Sequence, residues 1–162
     1  GALTELEHGA GAVVTSSGMA ALTLVCQLLQ PGDLLVAPHD CYGGSYRLFE
    51  SLAAKGHFEV AFVDQTSPAA LREVCNRKPR LILVETPSNP LLRIVDIAEV
   101  ARLAGEAGAL LAVDNTFLSP ALQQPLRLGA DLVIHSTTKY LNGHSDVVGG
   151  SVVAGTTELA SN

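Results

Sequence analysis

Residues 81–114 open with Leu81-Ile82-Leu83-Val84-Glu85, turn through Thr86-Pro87-Ser88-Asn89-Pro90, and close with Leu110-Leu111-Ala112-Val113-Asp114. Two apolar runs, each ended by a carboxylate, flank a stretch in which Ile97, Val100, Ala101 and Ala104 recur at helical spacing. Asp96 with Glu99 makes a capping-box-like start to that helix, and Gly108 stands where a C-cap belongs. The runs are apolar throughout instead of alternating, as in strands covered on both faces. Strand, helix, strand of this kind predicts a right-handed crossover within a parallel sheet.

The same alternation continues outward in both directions. Further strand-like runs lie at Ala12–Thr15, Leu34–Pro38, Val60–Asp64, Leu132–Ser136 and Val147–Ala154. Leu22, Val25, Cys26 and Leu29 form the apolar stripe of a helix that stops before Pro31-Gly32-Asp33. Ser67-Pro68 is an N-cap followed by a first-turn proline, with Leu71, Val74 and Cys75 as the buried stripe. The last run follows its predecessor through Asn142-Gly143-His144-Ser145-Asp146 with no helix, so it is expected to run antiparallel. The fold expected is α/β: a mainly parallel seven-stranded sheet with helices on both faces. Residues 1–162 read as one domain, with no repeat or linker. Gly1–Glu7 reads as helix already in progress and 158–162 as an element cut short, so a longer protein is expected.

Composition narrows the partners. Charged residues are 16% of the chain against 48% hydrophobic, and the formal charge is −6 with the ten Lys and Arg scattered singly. Nucleic acid or an anionic membrane would call for a basic patch, and no apolar run approaches a membrane span. Small-molecule substrates are expected, together with burial of some surface against other protein. Cys26, Cys41 and Cys75 at unrelated spacings suit free thiols in a reducing, cytoplasmic compartment.

In open parallel sheets ligands bind beyond the carboxyl ends of the strands. The residues there are Ser16-Ser17-Gly18-Met19, His39 to Gly44, Thr86 to Pro90, Asp114-Asn115-Thr116 and Ser136-Thr137-Thr138-Lys139, all polar or glycine-rich. Ser17-Gly18-Met19, where a strand turns into a helix, suits an anion such as phosphate; it also suits an ordinary N-cap. Ser136 and Thr138 have the spacing to finish a phosphate cup. Lys139 is either an amine nucleophile or a surface charge. Asp114 ends a buried strand and needs a partner, either a protonated pyridine nitrogen or the turn that follows it. Tyr42 before Gly43-Gly44 is either a ring stacked on a flat cofactor or a core aromatic at a helix start.

Thr137-Thr138-Lys139-Tyr140 with Asn142 to Asp146, Val113-Asp114-Asn115-Thr116-Phe117 and Glu85 to Pro90 together resemble the Cys/Met-metabolism family of pyridoxal-phosphate enzymes. The resemblance covers essentially the whole chain, and Ala37 to Phe49 resembles its bacterial cystathionine γ-synthase branch. It implies the large domain of an aspartate-aminotransferase-type (fold type I) enzyme, pyridoxal 5'-phosphate as cofactor, and a homotetramer. Position by position, it implies that Lys139 forms the Schiff base and shuttles protons, and that Asp114 holds the pyridinium nitrogen. Tyr42 stacks on the ring, Asn89 lies near the phenolic oxygen, and Gly18, Met19, Ser136 and Thr138 hold the phosphate. The implied reaction is γ-replacement, in which an O-acylated homoserine such as O-succinyl-L-homoserine loses its acyl group and cysteine adds at the γ-carbon to give cystathionine. The sibling γ-lyase, β-lyase and O-acetylhomoserine sulfhydrylase reactions use the same rim and stay open, as does a catalytically incomplete cofactor-binding fragment. The family's neighbouring-subunit Tyr and Arg for the phosphate, and its C-terminal Arg for the substrate carboxylate, have no counterpart among Arg47, Arg72, Arg77, Arg80, Arg93, Arg102 and Arg127.

Other chemistries fit less well. A nicotinamide dehydrogenase would need its glycine fingerprint after a strand, and Gly9-Ala10-Gly11 precedes one. A metal hydrolase on His39, Asp40, Cys41, His135 and His144 lacks any metal-ligand spacing, so no metal is expected.

Overall fold

The computed structural model describes residues 1–161; Asn162, the end of the segment expected to stop in mid-element, lies outside the described residues. Its elements are α1 (Ala2–Glu7), β1 (Gly11–Thr15), α2 (Gly18–Cys26), β2 (Leu34–Pro38), α3 (Gly43–Ala54), β3 (Glu59–Val63), α4 (Pro68–Cys75) and β4 (Leu81–Glu85). They continue with α5 (Ile97–Ala107), β5 (Leu110–Asp114), α6 (Ser119–Leu122), a 3-10 turn at Pro125–Leu128, β6 (Leu132–His135), β7 (Gly150–Ala154) and α7 (Thr157–Ser161).

The seven strands form one sheet in the order β1-β7-β6-β5-β4-β2-β3. β3, β2, β4, β5 and β6 pair in parallel, while β7 is antiparallel to both β6 and β1. Because β1 and β6 both oppose β7, β1 points the same way as the parallel strands, and its carboxyl end falls on the same edge.

Strand side chains alternate between two cores, which explains why the central strands are apolar at every position. Leu35, Leu81, Leu83, Ala112 and Ile134 pack on one face with Leu22, Val25 and Phe49 of α2 and α3. Val36, Ile82, Val84, Leu111 and Val113 pack on the other with Leu71, Val74, Ile97, Val100 and Leu103 of α4 and α5. Ser67 accepts from the Ala70 amide and Gly108 takes the left-handed C-cap conformation, both as the sequence indicates.

Local differences have identifiable causes. Asp96 caps α5 by accepting from the Ala98 and Glu99 amides, but the reciprocal half of the capping box is not made. Instead, both oxygens of Glu99 accept from Arg102, one turn on, and that charge-assisted fork is the stronger use of the carboxylate. β3 begins and ends one residue earlier than expected, because Asp64 turns its carboxylate onto the Thr66 amide and hydroxyl. β6 ends at His135, leaving Ser136 in the loop. β7 begins at Gly150, not Val147, because its two ladders start at the Thr15–Gly150 and His135–Ser151 pairs. β1 is not covered on both faces: Val13 and Val14 are exposed at the sheet edge.

Candidate functional site

The loops leaving β1, β2, β4, β5 and β6 surround a cavity of about 300 Å³, a volume that suits a small cofactor. Gly18, Met19, Tyr42, Asn89, Asp114, Ser136, Thr138 and Lys139 all line it, so the structure brings every residue singled out from the sequence to one place.

On the β1 side, the Ser17 hydroxyl accepts from the Ala20 amide at 3.1 Å, so the N-cap is real. It coexists with anion-binding capacity, because Gly18 and Met19 are the first residues of α2 and their amides have no partner within the helix. Gly18 is held close: a Cβ there would lie 2.7 Å from Ser136 Cβ. The Ser136 amide donates to Thr116 Oγ1 at 2.9 Å, fixing the start of the lysine loop against β5. Thr138 Oγ1 donates to the Gly149 carbonyl at 3.1 Å and accepts from the Gly149 amide at 3.0 Å. Its hydroxyl proton is therefore committed to the loop, and reaching an anion would mean releasing Gly149.

Across the cavity stand two carboxylates, Glu85 and Asp114, which are register partners at the ends of β4 and β5. Asp114 Oδ1 accepts from the Thr116 amide at 3.0 Å, so it does cap the following turn. Its other oxygen makes no hydrogen bond among the described residues. Burial raises the Asp114 pKa, while the Thr116 bonds and nearby His135 pull it down. Glu85 is only 7% exposed. Its Oε2 accepts from the Tyr42 amide at 3.0 Å and its Oε1 from the Asn89 amide at 2.7 Å. Burial first, then the charge on Asp114, pushes Glu85 up to about 7 against those two donors. Two adjacent carboxyls that are both reluctant to ionise mark a site ready for a cation.

Tyr42 is 49% exposed, so the core-aromatic alternative does not hold. A Cβ on Gly44 would sit 2.5 Å from Tyr42 Cε1, so glycine there lets the ring fold back at the start of α3. Lys139 is exposed, its backbone amide donates to the Ser136 carbonyl at 3.1 Å, and its side-chain amine has no partner among the described residues. It is the one cation lining the cavity among those residues. Arg93, on the adjoining loop, is paired with Asp64 at 3.4 Å and Asp40 at 3.8 Å.

Sequence reasoning placed Thr116 on the rim, and missed Glu85, Ser45, Phe117 and Val148 as cavity residues. Glu85 carries the signal that identified Asp114, a carboxylate ending an apolar strand, and was legible on that ground. No three His, Cys, Asp or Glu side chains gather as a metal site among the described residues.

An open helix N-terminus, a free amine and a half-buried carboxylate on one cavity fit a ring bearing a phosphate, a carbonyl carbon and a basic nitrogen. That set, at the carboxyl edge of this sheet, is of the kind that fold-type-I pyridoxal-phosphate enzymes present.

The model of the Cys/Met metabolism PLP-dependent enzymes matches residues 1–162. The chain is 68% identical over 154 residues to the cystathionine γ-synthase of Escherichia coli (strain K12), covering 94% of this chain and 40% of that protein. It is 49% identical over 157 residues to the cystathionine γ-lyase of Bacillus subtilis (strain 168), covering 97% of this chain and 41% of that one. The crystal structure of cystathionine γ-synthase from Xanthomonas oryzae pv. oryzae in complex with aminoacrylate and cysteine superposes with a TM-score of 0.98. That match has 62% identity over 99% of this chain and 42% of the other. The chain thus belongs to the Cys/Met metabolism family of pyridoxal-phosphate-dependent enzymes, and spans about 40% of the length of the curated relatives it matches.

Proposed function

We propose that residues 1–162 form the cofactor-binding domain of an enzyme that joins an O-acylated homoserine, O-succinyl-L-homoserine in particular, to L-cysteine by γ-replacement, giving cystathionine. The observation that carries this branch is 68% identity to the γ-synthase of Escherichia coli and 62% to that of Xanthomonas oryzae, against 47–49% for a β-lyase and a γ-lyase and 45–49% for further γ-synthases.

In this reading Lys139 would hold the cofactor through its carbonyl carbon, and its Nζ would carry protons between substrate carbons. Asp114 offers its second oxygen to the ring nitrogen and keeps that nitrogen protonated. Tyr42 covers the ring, and Glu85 holds it there through the Tyr42 amide. Asn89, which lines the same cavity, would lie near the ring's phenolic oxygen. Gly18 and Met19 would offer their amides and Ser136 its hydroxyl to the phosphate, with Thr138 a further ligand only on releasing Gly149. The bound ring supplies an electron sink for the pair left when the substrate α-proton departs.

The reading extends to a cytoplasmic homotetramer. Support comes from three buried, unpaired cysteines and from exposed apolar side chains such as Val14, Leu92 and Ile94. Among the described residues no helix is long and apolar enough to cross a membrane.

The deciding experiment supplies the protein as encoded with O-succinylhomoserine and cysteine and follows cystathionine and succinate. Cystathionine formation at least tenfold faster than cystathionine cleavage supports the γ-synthase reading. Faster cleavage assigns a lyase instead, and sulfide accepted in preference to cysteine assigns a thiol-lyase.

A further inference from the structure

Beneath the cavity lies a buried polar cluster that the functional reading does not use. Glu7, at the end of α1, is 0% exposed, as is Asn115, and His135 is 1% exposed. Glu7 Oε1 accepts from His135 Nε2 at 2.6 Å and from Asn115 Nδ2 at 2.9 Å. Its other oxygen has no partner among the described residues. Asn115 is bound further: its Nδ2 also donates to the Gln123 carbonyl at 2.8 Å, and its Oδ1 accepts from Gln123 Nε2 at 3.0 Å. Gln123 Nε2 in turn reaches the Thr86 carbonyl, directly after β4, at 3.1 Å.

The positions matter more than the bonds. Asn115 directly follows Asp114, and His135 directly precedes Ser136. One carboxylate oxygen therefore grips the ends of two neighbouring strands at the residues adjoining the ring-nitrogen carboxylate and the phosphate hydroxyl. A buried carboxylate with one unpaired oxygen is costly, and replacing a whole buried polar cluster with well-packed apolar residues is often neutral or stabilising. Such a cost is expected where orientation matters more than stability.

We propose that Glu7 is a positioning residue of the cofactor site, which through His135 and Asn115 fixes how Asp114 and Ser136 face the bound ring. The proposal rests on the pyridoxal-phosphate reading above. Glu7 touches neither cofactor nor substrate and acts only through the two strand ends.

The test uses the protein as encoded, freed of cofactor and then titrated with pyridoxal phosphate. Wild type, Glu7→Gln, Asn115→Ala and a remote core control, Val100→Ala, are compared by melting temperature, cofactor dissociation constant and visible circular dichroism of the bound cofactor. Glu7→Gln and Asn115→Ala are each expected to raise the dissociation constant about tenfold, the scale of one charge-assisted contact, and to change the visible dichroism per bound cofactor. Val100→Ala is expected to lower the melting temperature while leaving both cofactor readouts as in wild type. Normal affinity and dichroism in Glu7→Gln would overturn the proposal, as would failure of both network variants to fold, since the cluster would then serve the core. Wild type that binds no pyridoxal phosphate would overturn the functional reading itself, a result distinct from either.

Discussion

Replacing Glu85 with Gln isolates the buried carboxylate that joins the Tyr42 and Asn89 loops. Its pKa is raised from 4.5 to about 7, chiefly by burial, so the folded chain holds a proton that the unfolded chain has already released. Glu85 therefore contributes stability that is fully present below pH 4.5 and is lost as pH rises through about 7. With about 1.4 kcal/mol per pH unit, integration from pH 5 to pH 8 gives a loss of roughly 2.5 kcal/mol. Glutamine does not titrate. It also sets its amide N–H₂ against one of the two backbone donors, and that penalty is the same at every pH.

Urea unfolding of wild type and Glu85→Gln, in parallel at pH 5 and pH 8, gives two stability differences whose own difference cancels the constant penalty. Glu85→Gln is expected to gain on wild type by roughly 2.5 kcal/mol between those pH values. A gap that stays constant within about 0.5 kcal/mol, near the precision of such comparisons, would refute the reasoning. It would mean that the Tyr42 and Asn89 amides keep Glu85 ionised throughout, and that hydrogen bonding outweighs burial and Asp114 together.

Borohydride reduction of the encoded protein with pyridoxal phosphate, followed by peptide mapping, is expected to place the label on Lys139; label on Lys55 or Lys78 would refute that role. Lys139→Ala should abolish the visible band of the bound cofactor. Asp114→Asn should retain cofactor but lose turnover by about a hundredfold or more, because an amide cannot hold the ring nitrogen protonated; near-normal turnover at full occupancy would remove Asp114 from that role. Residues 1–162 expressed alone should not release cystathionine from O-succinylhomoserine and cysteine. Lys139 is the sole cation among the described cavity residues, and a clamp for the substrate carboxylate is worth several kcal/mol of orientation. Turnover within tenfold of the encoded protein would contradict this.

The central sheet was legible because burial on both faces writes itself into the sequence. Leu34–Pro38, Leu81–Glu85 and Leu110–Asp114 each needed five apolar or strand-ending residues, and no helix of that length buries every side. The signal failed where apolar residues serve another purpose. Val148 is 69% exposed and borders the cavity, so its hydrophobicity reflects the site and not a ladder. Period alone cannot separate those causes, and the strand was read three residues too long. The antiparallel direction of β7 was legible for a topological reason: with no helix between them, β6 and β7 have no crossover to make them parallel.

The site was legible only in part, and the division follows from the kind of information each residue carries. Lys139, Asp114 and Gly18 announce themselves because their types are improbable at strand ends unless something binds there. Glu7 announces nothing: a glutamate in a short helix reads as solvated, and its burial arises where it meets the carboxyl ends of β5 and β6, a contact 108 residues away in sequence for Asn115 and 128 for His135. No local pattern encodes such a distance. Glu85 lies between the two cases. Its position was visible but its work was not, because that work consists of accepting two backbone amides, and backbone amides are the same in every sequence. Residues that bind a ligand directly are therefore easier to find than those that hold them in place, and here the holding residues are the buried carboxylates Glu7 and Glu85.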